Sequence, residues 1–256
     1  MRYKMIPSLV AAGHQATASA FPIVARCDLF WPEHAPDSAS NHQYLFINDT
    51  LVAPIWDSTN NVTSRYVWIP PGTWQDAWSG DTVSGPTNIS VSQPYERVPL
   101  YHRQGGLMVL VSEPSLRVHR QDWSELTLEA FPAADVAQTT HRTVAERGAD
   151  VHAAKTHVVM HTDGAGHVRV DINQAVARAW VVRLHLRPGQ RVGAARLDAQ
   201  ALGEAAVTHI APTARADFMP FGGKGAAPAP GAGFVAELRI PASASASLRT
   251  LDVDIL

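Results

Sequence analysis

Histidines and aspartates supply the side chains whose spacing first suggests chemistry. His157 and His161 lie four residues apart, which on a strand puts both on one face, and His167 follows across a turn. Three imidazoles could hold a transition metal, but no cysteine or carboxylate is spaced to complete the ligand set. The expectation is a solvent-facing hairpin. Asp252 and Asp254 share a face of the last predicted strand. Paired carboxylates work on glycosidic bonds only across a cleft, and the expected role here is charge protecting an edge strand. Asp76 and Asp81 flank a turn and read as turn chemistry, while Asp57, beside Trp56, is a further ligand-facing candidate. Cys27 is the single cysteine, so no intrachain disulfide can form. Nothing near it is built to lower its pKa, and a buried, inert thiol is expected. No serine occupies a Gly-x-Ser-x-Gly elbow. The glycine-rich run 222–233 is not a phosphate loop, because no hydroxyl residue follows its Gly-Lys pair. No catalytic residue, metal site or cofactor is expected from the residues themselves.

Aromatic residues offer a second chemistry. Trp56, Trp68, Trp74 and Trp78 crowd into a short stretch, and indole rings suit the apolar faces of pyranose sugars. Trp56 and Trp74 are the candidate sugar contacts; the competing expectation is that most of these rings fill a core. Three N-glycosylation sequons begin at Asn48, Asn61 and Asn88. Together they point toward a secretory route. Residues 1–20 lack the form of a signal peptide, because Pro7, Ser8 and the run Gly13-His14-Gln15 break the apolar stretch.

The elements that must position these residues are mostly strands. The chain has 256 residues, 46% hydrophobic and 17% charged, enough for real cores in one large or two smaller β domains. A net charge of -2 supplies no basic field for nucleic acid or anionic lipid. No apolar run approaches the length of a membrane-spanning helix. Residues 1–20 read as a helix with an apolar stripe at Tyr3, Ile6, Leu9, Val10 and Gly13; Pro7 fits its first turn or kinks it. A strand is expected at 23–29 and a loop at 31–41. Further strands are expected at 43–47, 51–55, 65–69, 73–78, 88–91, 98–101 and 107–111. Pro70-Pro71-Gly72 reads as a tight turn between the fourth and fifth of these eight. After Ser112 the composition shifts to Ala, Arg, His and Val. Strands are expected there at 126–131, 139–145, 157–162, 167–172, 176–186, 193–197, 234–240 and 248–256. Asp163-Gly164-Ala165-Gly166 is a hairpin turn.

One series of motifs resembles a known family. Leu51-Val52-Ala53-Pro54-Ile55 is followed by Ser64-Arg65-Tyr66-Val67-Trp68-Ile69-Pro70-Pro71-Gly72-Thr73-Trp74-Gln75-Asp76-Ala77-Trp78-Ser79-Gly80, then by Arg97-Val98-Pro99 and Arg103-Gln104-Gly105. In order and spacing this is similar to the region after the catalytic barrel in glycoside hydrolase family 31, the α-glucosidases and α-xylosidases. Arg2-Tyr3-Lys4-Met5-Ile6-Pro7 resembles the opening of that family's last barrel helix. Gln75, Tyr95-Glu96 and Gly85-Pro86 depart from the family pattern and leave the substrate open.

The resemblance implies a mainly β fold: two antiparallel β-sandwich domains preceded by one helix left from a (β/α)8 barrel. The implied division is 1–41, last barrel helix and connection; 42–112, proximal sandwich; and 113–256, distal sandwich. The implied function is that of C-terminal accessory domains bracing the barrel of a retaining α-glycosidase, with that barrel as partner. The family's two catalytic aspartates lie upstream of the helix, so no aspartate here inherits their roles and the chain alone is expected to be inactive. Its first helix, lacking its barrel, is expected to fray or to promote association. Two alternatives stand beside this: a carbohydrate-binding β-sandwich module, and a non-catalytic partner of a separately encoded barrel.

Overall fold

The computed structural model describes residues 3–55, 64–93, 97–133, 135–146, 150–210, 235–243, 245 and 247–256. The fold is mainly β, with three sheets and one α-helix, α1 (Ile6–Ser19). The helix starts later than expected because Pro7 belongs in its first turn, where its missing N–H would have no partner anyway. It ends at Ala20, which adopts a left-handed conformation (φ 60°) and donates its N–H to the carbonyl of Ala16.

The first half builds one six-stranded antiparallel sheet from β1 (Val24–Ala25), β2 (Tyr44–Phe46), β3 (Thr50–Val52), β4 (Ser64–Asp76), β5 (Thr82–Ser92) and β6 (Leu100–Arg103), in the order β1-β2-β3-β6-β4-β5. The expected strand at 23–29 shrinks to β1, followed by a 3-10 turn at Cys27–Leu29; a second such turn, Pro32–His34, falls within the expected loop. These turns place Cys27, Phe30 and Trp31 against Leu45, Leu51, Val67, Ile69 and Trp74, forming the core of this half.

The tight turn expected at Pro70-Pro71-Gly72 is not there. β4 runs straight through it as a single strand of 13 residues. Its ladder with β5 shifts register between Ile69 and Gly72, which makes the two prolines a bulge. Proline cannot donate to a ladder, and a bulge is where a strand tolerates that loss. Gly72, at φ 105°, completes the irregularity. Across from it, a Cβ on Gly85 would lie 2.0 Å from the Pro70 carbonyl oxygen, so only glycine lets the strands close over the bulge. The reversal comes after Asp76, whose carboxylate accepts the N–H groups of Trp78 (2.7 Å) and Ser79 (2.9 Å).

The second half is a two-sheet sandwich. One sheet contains β7 (Leu107–Val111), β8 (Glu125–Ala130), β12 (Ala179–His185), β15 (Val207–Ile210) and β16 (Val235–Ile240), in the order β15-β16-β12-β8-β7. The other contains β9 (Ala137–Ala145), β10 (Lys155–Asp163), β11 (His167–Asn173), β13 (Val192–Leu197), β14 (Gln200–Ala201) and β17 (Leu248–Ile255), in the order β14-β13-β17-β11-β10-β9. Alternate residues of the strands meet in the core: Trp180, Val182 and Leu184 from β12, Val168, Val170 and Ile172 from β11, and Leu251 and Val253 from β17. The pairing β8–β12 is parallel; all other pairings are antiparallel. β14 and β15 are short strands for which the sequence carries too little pattern. The run 222–233 lies outside the described residues. Strand β7, on the near side of residue 112, is hydrogen-bonded to β8 on the far side.

Candidate functional site

β7 and β9 are the free edges of the two sandwich sheets on one side of the molecule. An edge strand exposes backbone donors and acceptors that need partners. Here α1 supplies them. Ser8, buried at 4% exposure, donates its hydroxyl to the Val109 carbonyl (2.8 Å) and accepts the Val109 N–H (2.9 Å). Val111 donates its N–H to the Lys4 carbonyl (2.8 Å). Gln121 donates to the carbonyl of Tyr3 (2.7 Å). Ile6 packs on the sandwich core, and Met5 on Met108, Leu110 and Phe131. The first turn of α1 therefore closes the edge of the sandwich, while the residues around its end stay exposed.

The same edge binds the first sheet. Arg142 on β9 donates Nε to the Leu107 carbonyl (3.0 Å) and forms an ion pair with Asp49, in the turn between β2 and β3. Asp49 also accepts the Leu107 N–H (3.4 Å). Burial pushes the Asp49 carboxyl above its ordinary range, more than the Arg142 guanidinium pulls it down. Beside this pair stands a column of rings. Phe131 stacks between His102 of β6 and His185 of β12, with centroids 4.2 Å away on each side. His102 Nδ1 meets the Thr50 hydroxyl at 3.1 Å. His185 Nε2 meets Glu129 at 2.6 Å, and Arg183 bridges Glu129 (3.2 Å) and Glu237 (3.0 Å). Gln75, which departs from the family pattern, donates to the carbonyls of Gly80 (2.9 Å) and Leu186 (3.2 Å), reaching from one half into the other. Backbone bonds Gly105 N–H to Phe131 O and Phe131 N–H to Gly106 O finish the joint. Buried polar groups that are paired across elements resist sliding, because movement would cost them their partners.

The residues singled out by sequence spread over the molecule. Trp74 is fully buried, with its indole N–H on the Pro70 carbonyl (2.9 Å), so it has no ring face open to a sugar in this structure. Trp68 is likewise core, and the Trp78 indole N–H caps the Val98 carbonyl (2.8 Å). Trp56, Asp57 and Asn61 lie outside the described residues. Asn88 is exposed on β5, whereas Asn48 sits in the β2–β3 turn at φ 67°, and its sequon hydroxyl, Thr50, is buried against His102.

His157, His161 and His167 do share the outer face of the β10–β11 hairpin. His161 bonds Thr139 (2.8 Å), and His167 is clasped by Asp254 (3.0 Å) and Asp252 (3.4 Å). Among the described residues no three such groups converge on a metal position. Burial pushes the Cys27 thiol up to about 11, which leaves it protonated at neutral pH. Ser8, Asp49 and Arg142 escape sequence reasoning, because a lone serine in a helix and a turn aspartate carry no signal of partners about a hundred residues away. The resemblance identifies Arg2–Pro7 as the opening of a barrel helix and gives no sign that the helix docks on these strands.

Comparison with known proteins is consistent with this geometry. Residues 22–108 match the model of the glycosyl hydrolase family 31 C-terminal domain. Alpha-glucosidase 2 of Bacillus thermoamyloliquefaciens is 26% identical over 110 residues, which are 43% of this chain and 14% of that protein. The alpha-xylosidase of Saccharolobus solfataricus is 20% identical over 133 residues, 52% of this chain and 18% of that protein. The chain thus spans less than a fifth of the length of these curated relatives. A solved Flavobacterium johnsoniae dextranase of the same family superposes on 99% of the chain and 31% of its own, with a TM-score of 0.72 at 16% identity. That likeness extends the shared fold across both halves.

Proposed function

We propose, from the premise that residues 22–108 are a glycosyl hydrolase family 31 C-terminal domain, that this chain is the accessory C-terminal part of a retaining α-glycosidase and braces its catalytic barrel. The observation that carries this reading is the docking of α1 on β7. A helix bonded through Ser8 and Lys4 to the sandwich edge transmits any load from a preceding barrel straight into both β halves, because Arg142, Asp49 and the Phe131 column tie those halves together. Phe21, Val24 and Leu29, which follow α1, are each at least 43% exposed and offer apolar surface to the barrel. The division is residues 1–41 as barrel helix and connection, 42–112 as proximal domain and 113–256 as distal domain, with β7 joining the last two.

Hydrolysis with retention takes two carboxylates about 5 Å apart across the scissile bond. Several aspartates of the described strands have other partners: Asp76 caps a turn, Asp163 accepts the N–H groups of Ala165 and His167, Asp171 pairs with Arg169, and Asp252 and Asp254 clasp His167. On this reading the chain alone is a support and not a catalyst, and carbohydrate is the barrel's ligand. The test is made in a polypeptide that joins a family 31 barrel to this chain. Ser8→Ala should shorten the half-life of α-glycosidase activity on heating and leave kcat/KM of the surviving enzyme unchanged. An unaltered half-life would overturn the bracing role.

A further inference from the structure

Between α1 and the strands β9 and β10 lies a cleft of about 310 Å³. That volume is at the small end of ligand-binding sites. Its ionisable lining is one-sided: His14 from the helix, His141 and Arg142 from β9, and Lys155 from β10, with no carboxylate among the lining residues. This occurs in a chain whose net charge is -2, so the bases are concentrated here against the overall balance. Arg142 is committed to Asp49. Lys155, by contrast, makes no ion pair among the described residues, although Ala145, its partner in the ladder, also lines the cleft. His14 places its Nδ1 out of contact with solvent and with no hydrogen-bond partner. Leaving a buried polar nitrogen unpaired is costly unless something else satisfies it. Ala11, Ala12 and Ala18 line the helix side, and their short side chains leave room for a ligand body close to the helix backbone.

We propose that this cleft binds a small oxyanion-bearing ligand, its carboxylate or phosphate group held by Lys155 and His14 and its apolar body lying on the alanines of α1. The ammonium of Lys155 supplies the charge. His14 supplies a directional contact, and Thr143 and Gln15, which also line the cleft, offer hydroxyl and amide groups to the remaining oxygens. A neutral sugar would leave the lysine without a counter-charge, so a sugar enters this cleft only as its phosphate. The site adjoins the buried joint, with Ser8 and Arg142 of that joint in its lining, but its proposed ligand contacts, Lys155 and His14, are not part of the joint.

Isothermal titration of the full chain at low ionic strength tests it, with inorganic phosphate, succinate, glucose 1-phosphate and glucose as probes. At least one of the three anions should give saturable heat in the millimolar range, and glucose none. Lys155→Met should weaken that binding about tenfold or more, as expected for loss of a charge-assisted contact, with an unchanged melting temperature. His14→Ala, which removes a directional contact and no fixed charge, should weaken it less. Phosphate and glucose 1-phosphate binding without succinate identifies a phosphoryl ligand, and succinate binding alone a carboxylate. Absence of saturable heat with every anion, or equal binding by the Lys155→Met and parent chains, overturns the proposal.

Discussion

Replacing Ser8 with alanine removes one oxygen atom, and the structure says what that atom does. It accepts the Val109 N–H and donates to the Val109 carbonyl, at 2.9 and 2.8 Å, in a position only 4% exposed. Val109 lies in the middle of β7, an edge strand, and its outward backbone groups face α1 and not water. Alanine fits the space but satisfies neither group. A buried donor or acceptor left unpaired costs about 1–3 kcal/mol; two of them, partly relieved by small shifts, should cost about 2–4 kcal/mol. For a chain of this size that corresponds to a fall in melting temperature of about 5–10 °C. Calorimetry or urea unfolding measures the loss. Amide exchange supplies the local readout: the Val109 N–H should exchange far faster, while Val182 and Ile172 in the sandwich core exchange as before. A Ser8→Ala variant within about 0.5 kcal/mol of the parent, the usual range for a surface substitution, would refute the idea that α1 is an integral edge cap.

The Asp49–Arg142 pair should behave as a buried one. Arg142→Met or Asp49→Leu alone should cost about 3 kcal/mol, and the double variant less than the sum; additive losses in a double-mutant cycle would count against the pairing. Gly85→Ala puts a Cβ 2.0 Å from the Pro70 carbonyl oxygen, so it should cost about 3 kcal/mol or fail to fold, whereas Gly203→Ala, with no atom within 4 Å, should be tolerated. Asp163 accepts the N–H groups of Ala165 (2.7 Å) and His167 (3.0 Å), which hold its carboxyl below the ordinary aspartate range. A lowered folded-state pKa means its contribution is complete above the unfolded value and is lost as pH falls through the folded one. The Ala165 and His167 amide shifts should therefore titrate with a midpoint below that of an aspartate in the unfolded chain.

Most of the β architecture is legible in the sequence because one face of each sandwich strand is buried. The alternation of His157, Val158, Val159, Met160 and His161 around the Asp163–Gly166 turn fixes the β10–β11 hairpin and its register. The misreading at Pro70-Pro71-Gly72 has a definite cause. Those residues suit a turn and a bulge equally, and what selects the bulge is Gly85, which permits close approach from the neighbouring strand. Local composition holds no record of that contact. The same holds for the tryptophans. Their chemistry fits sugar, but Trp74 sits at the centre of a core assembled from 3-10 turns around Cys27 and Trp31 that no periodicity announces. The joint was illegible for a further reason: His102, Phe131 and His185 come from three separate strands or strand ends, and only the folded topology stacks them. The family motifs cover this neighbourhood without revealing which of its residues pair across the joint.

On the function proposed above, this chain supports a glycosidase and does not itself hydrolyse glycosides. The purified chain incubated with an aryl α-glucoside over pH 4–8 tests it most directly. The account predicts release of the aryl group at the buffer rate. Saturable turnover that co-purifies with the folded chain would contradict it.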